Sequence, residues 1–182
     1  RFYEIPQRDR ADKISINTSA YANPQLVDDA ARRYGAQCVV VSIDARCIAP
    51  ATYRCFSHSG TVATDRDPVE WARELEARGA GEVLITSIER DGTMQGYGLE
   101  LIERVSSAVR IPVIASGGAG NYEHMREAIQ VAGASAVAAA SMFHFTEQTP
   151  AGAKRMLAAA GIPIRHGYRE HAHNETGKEQ RA

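Results

Sequence analysis

Ile111-Pro112-Val113-Ile114-Ala115-Ser116-Gly117-Gly118-Ala119-Gly120 is the stretch of sequence that decides the fold. Its first half is a short apolar run of Ile, Val and Ala, which predicts a strand buried on both faces. Its second half consists of small residues, and Asn121 behind it is typical of a helix N-cap. The glycines would then lie between a strand and a helix, where backbone N–H groups and the helix dipole favour an anion. We therefore interpret this stretch as a phosphate cradle.

The same alternation of strand and helix recurs along the chain. Strands are predicted at 13–17, 38–44, 82–86, 111–116 and 136–140. Amphipathic helices are predicted within 23–35, 67–79, 98–107, 122–131 and 151–160, with Pro or Asn at several starts and Gly at several ends. Residues 45–67 break the alternation and are predicted as an inserted loop that contains an extended segment at 52–57 and a turn at 59–61.

Five strands, each followed by a helix, predict either an open doubly wound sheet or part of a (β/α)8 barrel. Polar or glycine residues follow every strand, at 17–18, 44, 86 with 91–92, 116–118 and 140–141. Barrel enzymes place their chemistry at this end of the strands, so the pattern favours the barrel. We divide the chain into an irregular lead-in at 1–10, a partial TIM-barrel domain at 11–165 and a mobile polar tail at 166–182.

The composition is that of a globular protein with a core. The 182 residues are 44% hydrophobic and 24% charged, and the net charge of -1 argues against a nucleic-acid partner. No apolar run approaches the ~20 residues that span a bilayer, and no signal peptide opens the chain, so we expect a cytoplasmic protein without a membrane partner. Three cysteines without metal-site spacing predict free thiols.

Several consecutive motifs together resemble one family. TSIERDGTMQGY at 86–97, IASGGAG at 114–120 followed by Glu123-His124, and AASMFHF at 139–145 are similar to the cyclase subunit of imidazole glycerol phosphate synthase, an enzyme of histidine biosynthesis. DKISINT at 12–18 and SIDAR at 42–46 match the same family in the same order. The resemblance covers 11–165 and is far more specific than a lone glycine loop.

The resemblance implies a barrel that this chain fills only in part. A complete barrel takes about 250 residues, and the matching span of about 155 residues is what five of its eight units need. The chain therefore resembles the fourth to eighth units, with the first three absent. We expect unpaired edges at the first and last strands, and hence aggregation, self-association or binding of a partner fragment.

The resemblance also implies a reaction and a set of site residues. The family converts a phosphoribulosyl formimino-aminoimidazole carboxamide ribotide and ammonia into imidazole glycerol phosphate and aminoimidazole carboxamide ribotide. Asp44 matches one of its two catalytic aspartates, and the second has no counterpart here, so we expect little or no turnover by this chain alone. The residues implied to bind the bisphosphate substrate are Asn17 and Thr18 at one phosphate, Gly92, Gly117, Gly118, Ala140 and Ser141 at the other, and Thr86, Asp91 and Ser116 between them.

Several of these residues also have a plain structural explanation. Asp44 would serve equally as a helix N-cap or as an ion-pair partner of Arg46. The glycine pair at 117–118 would make a tight turn, and Asp91 would cap its own loop through an Asx-turn. The hydroxyl groups of Thr86 and Ser116 would bond neighbouring backbone instead of substrate.

At the opposite end of the predicted barrel, Lys13 and Glu82 match two members of a charged ring. In the family this ring admits ammonia from a glutaminase partner, whereas charges at strand starts are usually solvated surface groups. The resemblance implies no organic cofactor and no metal, and the histidines form no metal triad. Two other interpretations stay open: the sister isomerase that acts one step earlier on a similar bisphosphate, and a non-catalytic half-barrel that binds phosphates.

Overall fold

The computed structural model describes residues 11–165, so the lead-in at 1–10 and the tail at 166–182 lie outside the described residues. The strands are β1 (Ile14–Ile16), β2 (Val39–Ala49), β3 (Thr52–Ser57), β4 (Val62–Ala63), β5 (Glu82–Ser87), β6 (Val113–Ser116) and β7 (Ala136–Val137). The α-helices are α1 (Thr18–Ala22), α2 (Gln25–Tyr34), α3 (Pro68–Ala77), α4 (Leu99–Ser106), α5 (Tyr122–Gln130), α6 (Ser141–Phe145) and α7 (Pro150–Ala159).

A parallel sheet in chain order forms the centre of the fold. β1, β2, β5, β6 and β7 are neighbours in that order, and helices connect each strand to the next parallel one. This is the topology of consecutive βα units, and it confirms the predicted α/β class and partial (β/α)8 barrel. In the part of the chain that the structure describes, β1 pairs only with β2 and β7 only with β6. The barrel is therefore open between β1 and β7.

The two faces of the sheet differ because side chains alternate along each strand. On β2, Val39, Val41 and Ile43 are fully buried against the helices. The alternate residues Ser42 and Asp44 lie on the concave inner face and are partly exposed. On the outer face, burial of each large apolar side chain contributes about 1.5–3 kcal/mol, so the helix-facing layer stabilises the fold. Other large side chains of this layer are Trp71, Leu75, Val83, Ile85, Leu101, Val105 and Val113.

Two of the predicted helix starts are confirmed, whereas the start of α2 has no side-chain cap. The Asp67 carboxylate accepts hydrogen bonds from the N–H groups of Val69 (2.8 Å) and Glu70 (3.1 Å), and Pro68 occupies the first turn. Asn121 Oδ1 accepts from the N–H group of His124 at 2.9 Å. These side chains supply acceptors for the otherwise unpaired amides of the first helical turn, which is why Asp, Asn and Pro mark helix starts in the sequence.

The extended segment predicted at 52–57 is confirmed as β3, but the residues around it are not only a loop. β2 continues to Ala49, turns, and pairs antiparallel with β3, and β3 pairs in turn with β4. The guanidinium group of Arg46 lies 4.8 Å from the centre of the Phe56 ring, a cross-strand contact that stabilises the hairpin. Periodicity within one segment does not reveal such pairing, because the partner strand supplies the hydrogen bonds. The strand predicted at 136–140 is shorter in the structure, where it forms β7 (Ala136–Val137).

The end of the hairpin is attached to α4. Arg104 donates to the carbonyl of Ala51 at 2.8 Å and to the Glu100 carboxylate at 2.8 Å. The Tyr53 hydroxyl donates to the same carboxylate at 3.1 Å. Burial, together with the Glu100 carboxylate, raises the pKa of Tyr53 to about 12. These contacts hold the tip of the hairpin against α4.

The cysteines are free thiols, as predicted. Cys55 pairs in register with Ala45, and Cys47 pairs with Tyr53, so the two thiols are not opposite each other on the hairpin. Burial raises the pKa of the Cys55 thiol to about 12. Among residues 11–165, no helix is both long enough and apolar enough to span a membrane.

Candidate functional site

A row of polar side chains crosses the carboxyl ends of three neighbouring strands. The register pairs Asp44 of β2 with Thr86 of β5, and Thr86 with Ser116 of β6. Residues at the same register on parallel strands project from the same face, so the three side chains share the concave surface. All three are partly buried. Within residues 11–165, the hydroxyl groups of Thr86 and Ser116 make no hydrogen bond, so neither is used to bind neighbouring backbone.

The Asp44 carboxylate is oriented by a side-chain amide at the end of the neighbouring strand β1. Asn17, directly after β1, donates from Nδ2 to Asp44 Oδ2 at 2.9 Å. The two structural roles considered for Asp44 do not occur, since it lies inside β2 and Arg46 places its guanidinium group over Phe56. Among the described residues, Asn17 is the hydrogen-bond donor to this half-buried carboxylate, and its other oxygen is not used. The sequence did not predict the contact between Asn17 and Asp44.

Two polar atoms next to this carboxylate are buried without partners. Asn17 Oδ1 and the Tyr21 hydroxyl oxygen have no hydrogen-bond partner among the described residues. Tyr21 stacks on Trp71 at a ring-centre distance of 5.1 Å, and burial raises the pKa of its hydroxyl. Buried polar atoms normally have partners, so Asn17 Oδ1 is an acceptor suited to an N–H or O–H group of a ligand. Tyr21 belongs to α1, a helix too short to show a clear period in the sequence.

Thr18 is connected to the turn that follows β3. Its Oγ1 accepts from the backbone N–H of His58 at 2.8 Å. His58 and Ser59 have φ values of +52° and +56°, and Gly60 follows with +77°. Non-glycine residues in this region cost free energy, so the surrounding contacts must hold the turn in place. The predicted turn at 59–61 thus lies beside Thr18, whose hydroxyl hydrogen remains available as a donor.

The loops after β5 and β6 are joined through their backbones. The N–H of Gly96 donates to the carbonyl of Gly118 at 2.7 Å. A Cβ on Gly118 would lie 2.2 Å from the oxygen of Gly96, and one on Gly117 would lie 2.8 Å from the oxygen of Ser87. Both glycines also have positive φ, +106° and +85°. Close contact with the preceding loop therefore explains the glycine pair, and among the described residues no backbone hydrogen bond closes a tight turn around it.

The same two loops leave amides available for an anion. Among the described residues, the N–H groups of Gly92 and Gly118 donate no hydrogen bond. Gly92 has φ +78° and open space around its Cα, and it follows Asp91, which is exposed. Asp91 forms no Asx-turn, because the N–H of Thr93 donates instead to the carbonyl of Arg90 at 3.0 Å. Its carboxylate is thus not used by its own loop.

The third loop of the candidate phosphate site follows β7. The Tyr97 hydroxyl donates to the carbonyl of Ala138 at 3.0 Å, which ties this loop to the one after β5, and burial raises the pKa of Tyr97. Ala140 is exposed and directly precedes α6, whose first residue is Ser141. The structure therefore brings the loops after β5, β6 and β7 together at one end of the sheet. Asn17 and Thr18 lie at the far side of Asp44 from these loops.

At the opposite end of the sheet, Lys13 and Glu82 form an ion pair. The pair bridges across β2, since Glu82 is in register with Val40, which in turn pairs with Ser15. The Lys13 side chain is about half exposed, and screening by solvent makes such a pair contribute little to stability. Lys13 and Glu82 are therefore paired with each other at the amino end of the strands and are not separate surface charges.

The chain also matches a known protein family. The model of a family described as histidine biosynthesis protein matches residues 7–149. The matched span includes both ends of the sheet, from Lys13 to Ser141, and with it all of the residues discussed above. The match extends over most of the chain.

Proposed function

Because the chain belongs to the family of histidine biosynthesis proteins, we propose that it carries the fourth to eighth βα units of the cyclase subunit of imidazole glycerol phosphate synthase. The family match covers enzymes of histidine biosynthesis and does not by itself separate this cyclase from the sister isomerase. The observation that carries the proposal is the Asp44 carboxylate, held by Asn17 at 2.9 Å on the concave face of the sheet. The motifs at 114–124 and 143–145 favour the cyclase over the isomerase.

In this proposal Asp44 is a general acid and base. Closing an imidazole ring with ammonia and releasing aminoimidazole carboxamide ribotide requires protons to move to and from nitrogen and oxygen. A carboxylate that is half-buried and oriented by one amide is suited to such transfers. Asn17 then serves the carboxylate through Nδ2, and its buried Oδ1 would accept a hydrogen bond from the substrate. This role of Asn17 differs from the phosphate contact expected from the resemblance.

The substrate phosphates would bind at the two sides of Asp44. The unpaired N–H groups of Gly92 and Gly118, with the Ala140-Ser141 segment, supply donors for one phosphate. The Thr18 hydroxyl is the available donor on the other side. Thr86 and Ser116 lie in register with Asp44 and would bond the part of the substrate between the phosphates, and Asp91 would orient its hydroxyl groups.

Two partners belong to the proposal. A glutaminase subunit would supply ammonia at the amino end of the strands, where Lys13 and Glu82 are paired. A second partner surface is given by β1 and β7, each of which pairs on one side only within residues 11–165. Unpaired parallel strands are templates for further pairing, so we propose that these edges bind additional βα units or another copy of the chain.

The proposed reaction is tested by measuring turnover in a completed barrel. We expect a complex of this chain with the first three βα units of a cyclase barrel to consume the phosphoribulosyl substrate in an ammonia-dependent manner. It should leave the substrate of the isomerase unchanged. The three-unit piece alone serves as the control and should be inactive. Conversion of the isomerase substrate, without ammonia dependence, would assign the chain to the sister enzyme, and phosphate binding without turnover of either substrate would support the non-catalytic half-barrel.

A further inference from the structure

Gly120, at the end of the glycine loop, is held at both its amide and its carbonyl. Its N–H donates to His124 Nδ1 at 3.1 Å, and its carbonyl accepts from Gln148 Nε2 at 2.8 Å. A Cβ on Gly120 would lie 1.9 Å from the oxygen of Met94, so its backbone is also pressed against the loop after β5. Gly120 is therefore the point at which three segments meet: the loop after β5, the first turn of α5 and the segment before α7.

The His124 side chain, which accepts from the Gly120 N–H, is itself held in place by neighbouring groups. Its backbone N–H is capped by Asn121 Oδ1 at 2.9 Å, and its Nε2 lies 3.2 Å from Asn121 Nδ2. The edge of the ring lies against Gly96, where an added Cβ would be 3.7 Å from ring atoms. Since Nδ1 accepts from the Gly120 N–H, the neutral ring carries its proton on Nε2, which lies beside the Asn121 side-chain amide and Gly96.

We propose that His124 is a positioning residue of the phosphate-binding loop. By accepting the Gly120 amide, the ring fixes the end of a loop whose beginning is fixed by the hydrogen bond between Gly96 and Gly118. Gly118, whose unpaired N–H directly precedes the first of these points, is then held in one arrangement before an anion arrives. Preorganised donors bind more tightly, because the loop loses less conformational freedom on binding. This inference rests on the proposed phosphate site.

The test compares two substitutions of His124 in the full 182-residue chain. His124→Leu keeps an apolar side chain and removes the acceptor, whereas His124→Asn places an amide oxygen near the position of Nδ1. We expect His124→Leu to weaken the binding of inorganic phosphate by about three- to tenfold, as loss of one hydrogen bond does. It should also speed hydrogen exchange at the Gly120 amide. His124→Asn should restore both quantities to near their original values.

The control is His144→Leu, which alters an exposed histidine on α6. It should change neither phosphate affinity nor exchange at Gly120. Unchanged affinity and exchange in His124→Leu would overturn the inference, and so would an equal loss in His124→Leu and His124→Asn, because that result identifies the imidazole itself as the ligand. If the unsubstituted chain binds no phosphate, the proposed phosphate site fails, and exchange at Gly120 in the two variants still decides whether His124 positions the loop.

Discussion

Asp44→Asn is expected to lower ammonia-dependent turnover of the completed barrel by a factor of about 10²–10⁴, the usual contribution of a general acid or base. The substitution keeps the size of the side chain and an oxygen that accepts from Asn17. The amide cannot take up or release a proton near neutral pH, so the proton-transfer steps should slow while the site keeps its shape. The measurement is the rate of substrate consumption at saturating ammonia, together with the urea midpoint of unfolding.

The matched control for this substitution is Asp65→Asn. Asp65 is exposed and lies outside the row formed with Thr86 and Ser116, so its loss should leave the rate unchanged. Equal rates for Asp44→Asn and the unsubstituted protein would remove Asp44 from the chemistry and with it the main support for the proposed reaction. A large fall in the urea midpoint of Asp44→Asn would show that its role is structural instead.

Gly118→Ala is expected to lower the free energy of unfolding by roughly 2–5 kcal/mol, as strain and overpacking together do. The new Cβ would lie 2.2 Å from the oxygen of Gly96, a backbone atom, and φ at this position is +106°. The loops after β5 and β6 would have to separate, which breaks the hydrogen bond between Gly96 and Gly118. Urea denaturation measures the loss of stability, and phosphate titration should show weaker binding in the same variant.

Gly92→Ala separates the effect of backbone conformation from that of close contact. Gly92 also has positive φ, +78°, but an added Cβ would meet nothing within 4 Å. This control should therefore cost only about 1–2 kcal/mol, the usual penalty for a left-handed non-glycine residue. If Gly118→Ala and Gly92→Ala lose equal stability, the contact between the two loops contributes nothing and the glycine pair is needed for its φ angles alone.

The order of strands and helices was predictable because each depends on residues close together in the sequence. β-branched runs such as Val39–Val41 and caps such as Asp67 and Asn121 act within a few residues of their own position. The parallel arrangement followed from the repeated alternation of these elements. The continuation of β2 past Asp44 depends on β3, which lies across a turn, and no property of Arg46 or Cys47 alone indicates it.

The candidate site was predictable in its outline and not in its contacts. Polar residues after each strand indicated which end of the sheet carries the site, because the carboxyl ends of parallel strands converge. Which atoms touch depends on register and on loop packing. The hydrogen bond from Asn17 to Asp44 crosses between neighbouring strands, and the contact between Gly120 and His124 depends on the entry angle of α5. The pattern of residues in the sequence determines neither of these two contacts.

The length of β2 has a consequence for the order in which the chain folds. On one side β2 pairs with β1 over Val39–Val41 and with β3 from Asp44 onward, and on the other side it pairs with β5. Three strands thus use β2 as their template, while β6 and β7 can join only after β5 is in place. The folding transition state should therefore be centred on β2 and the hairpin, whose pairing requires the shortest loop closure. Substitutions in β2 would then slow folding, and substitutions near β7 would mainly speed unfolding.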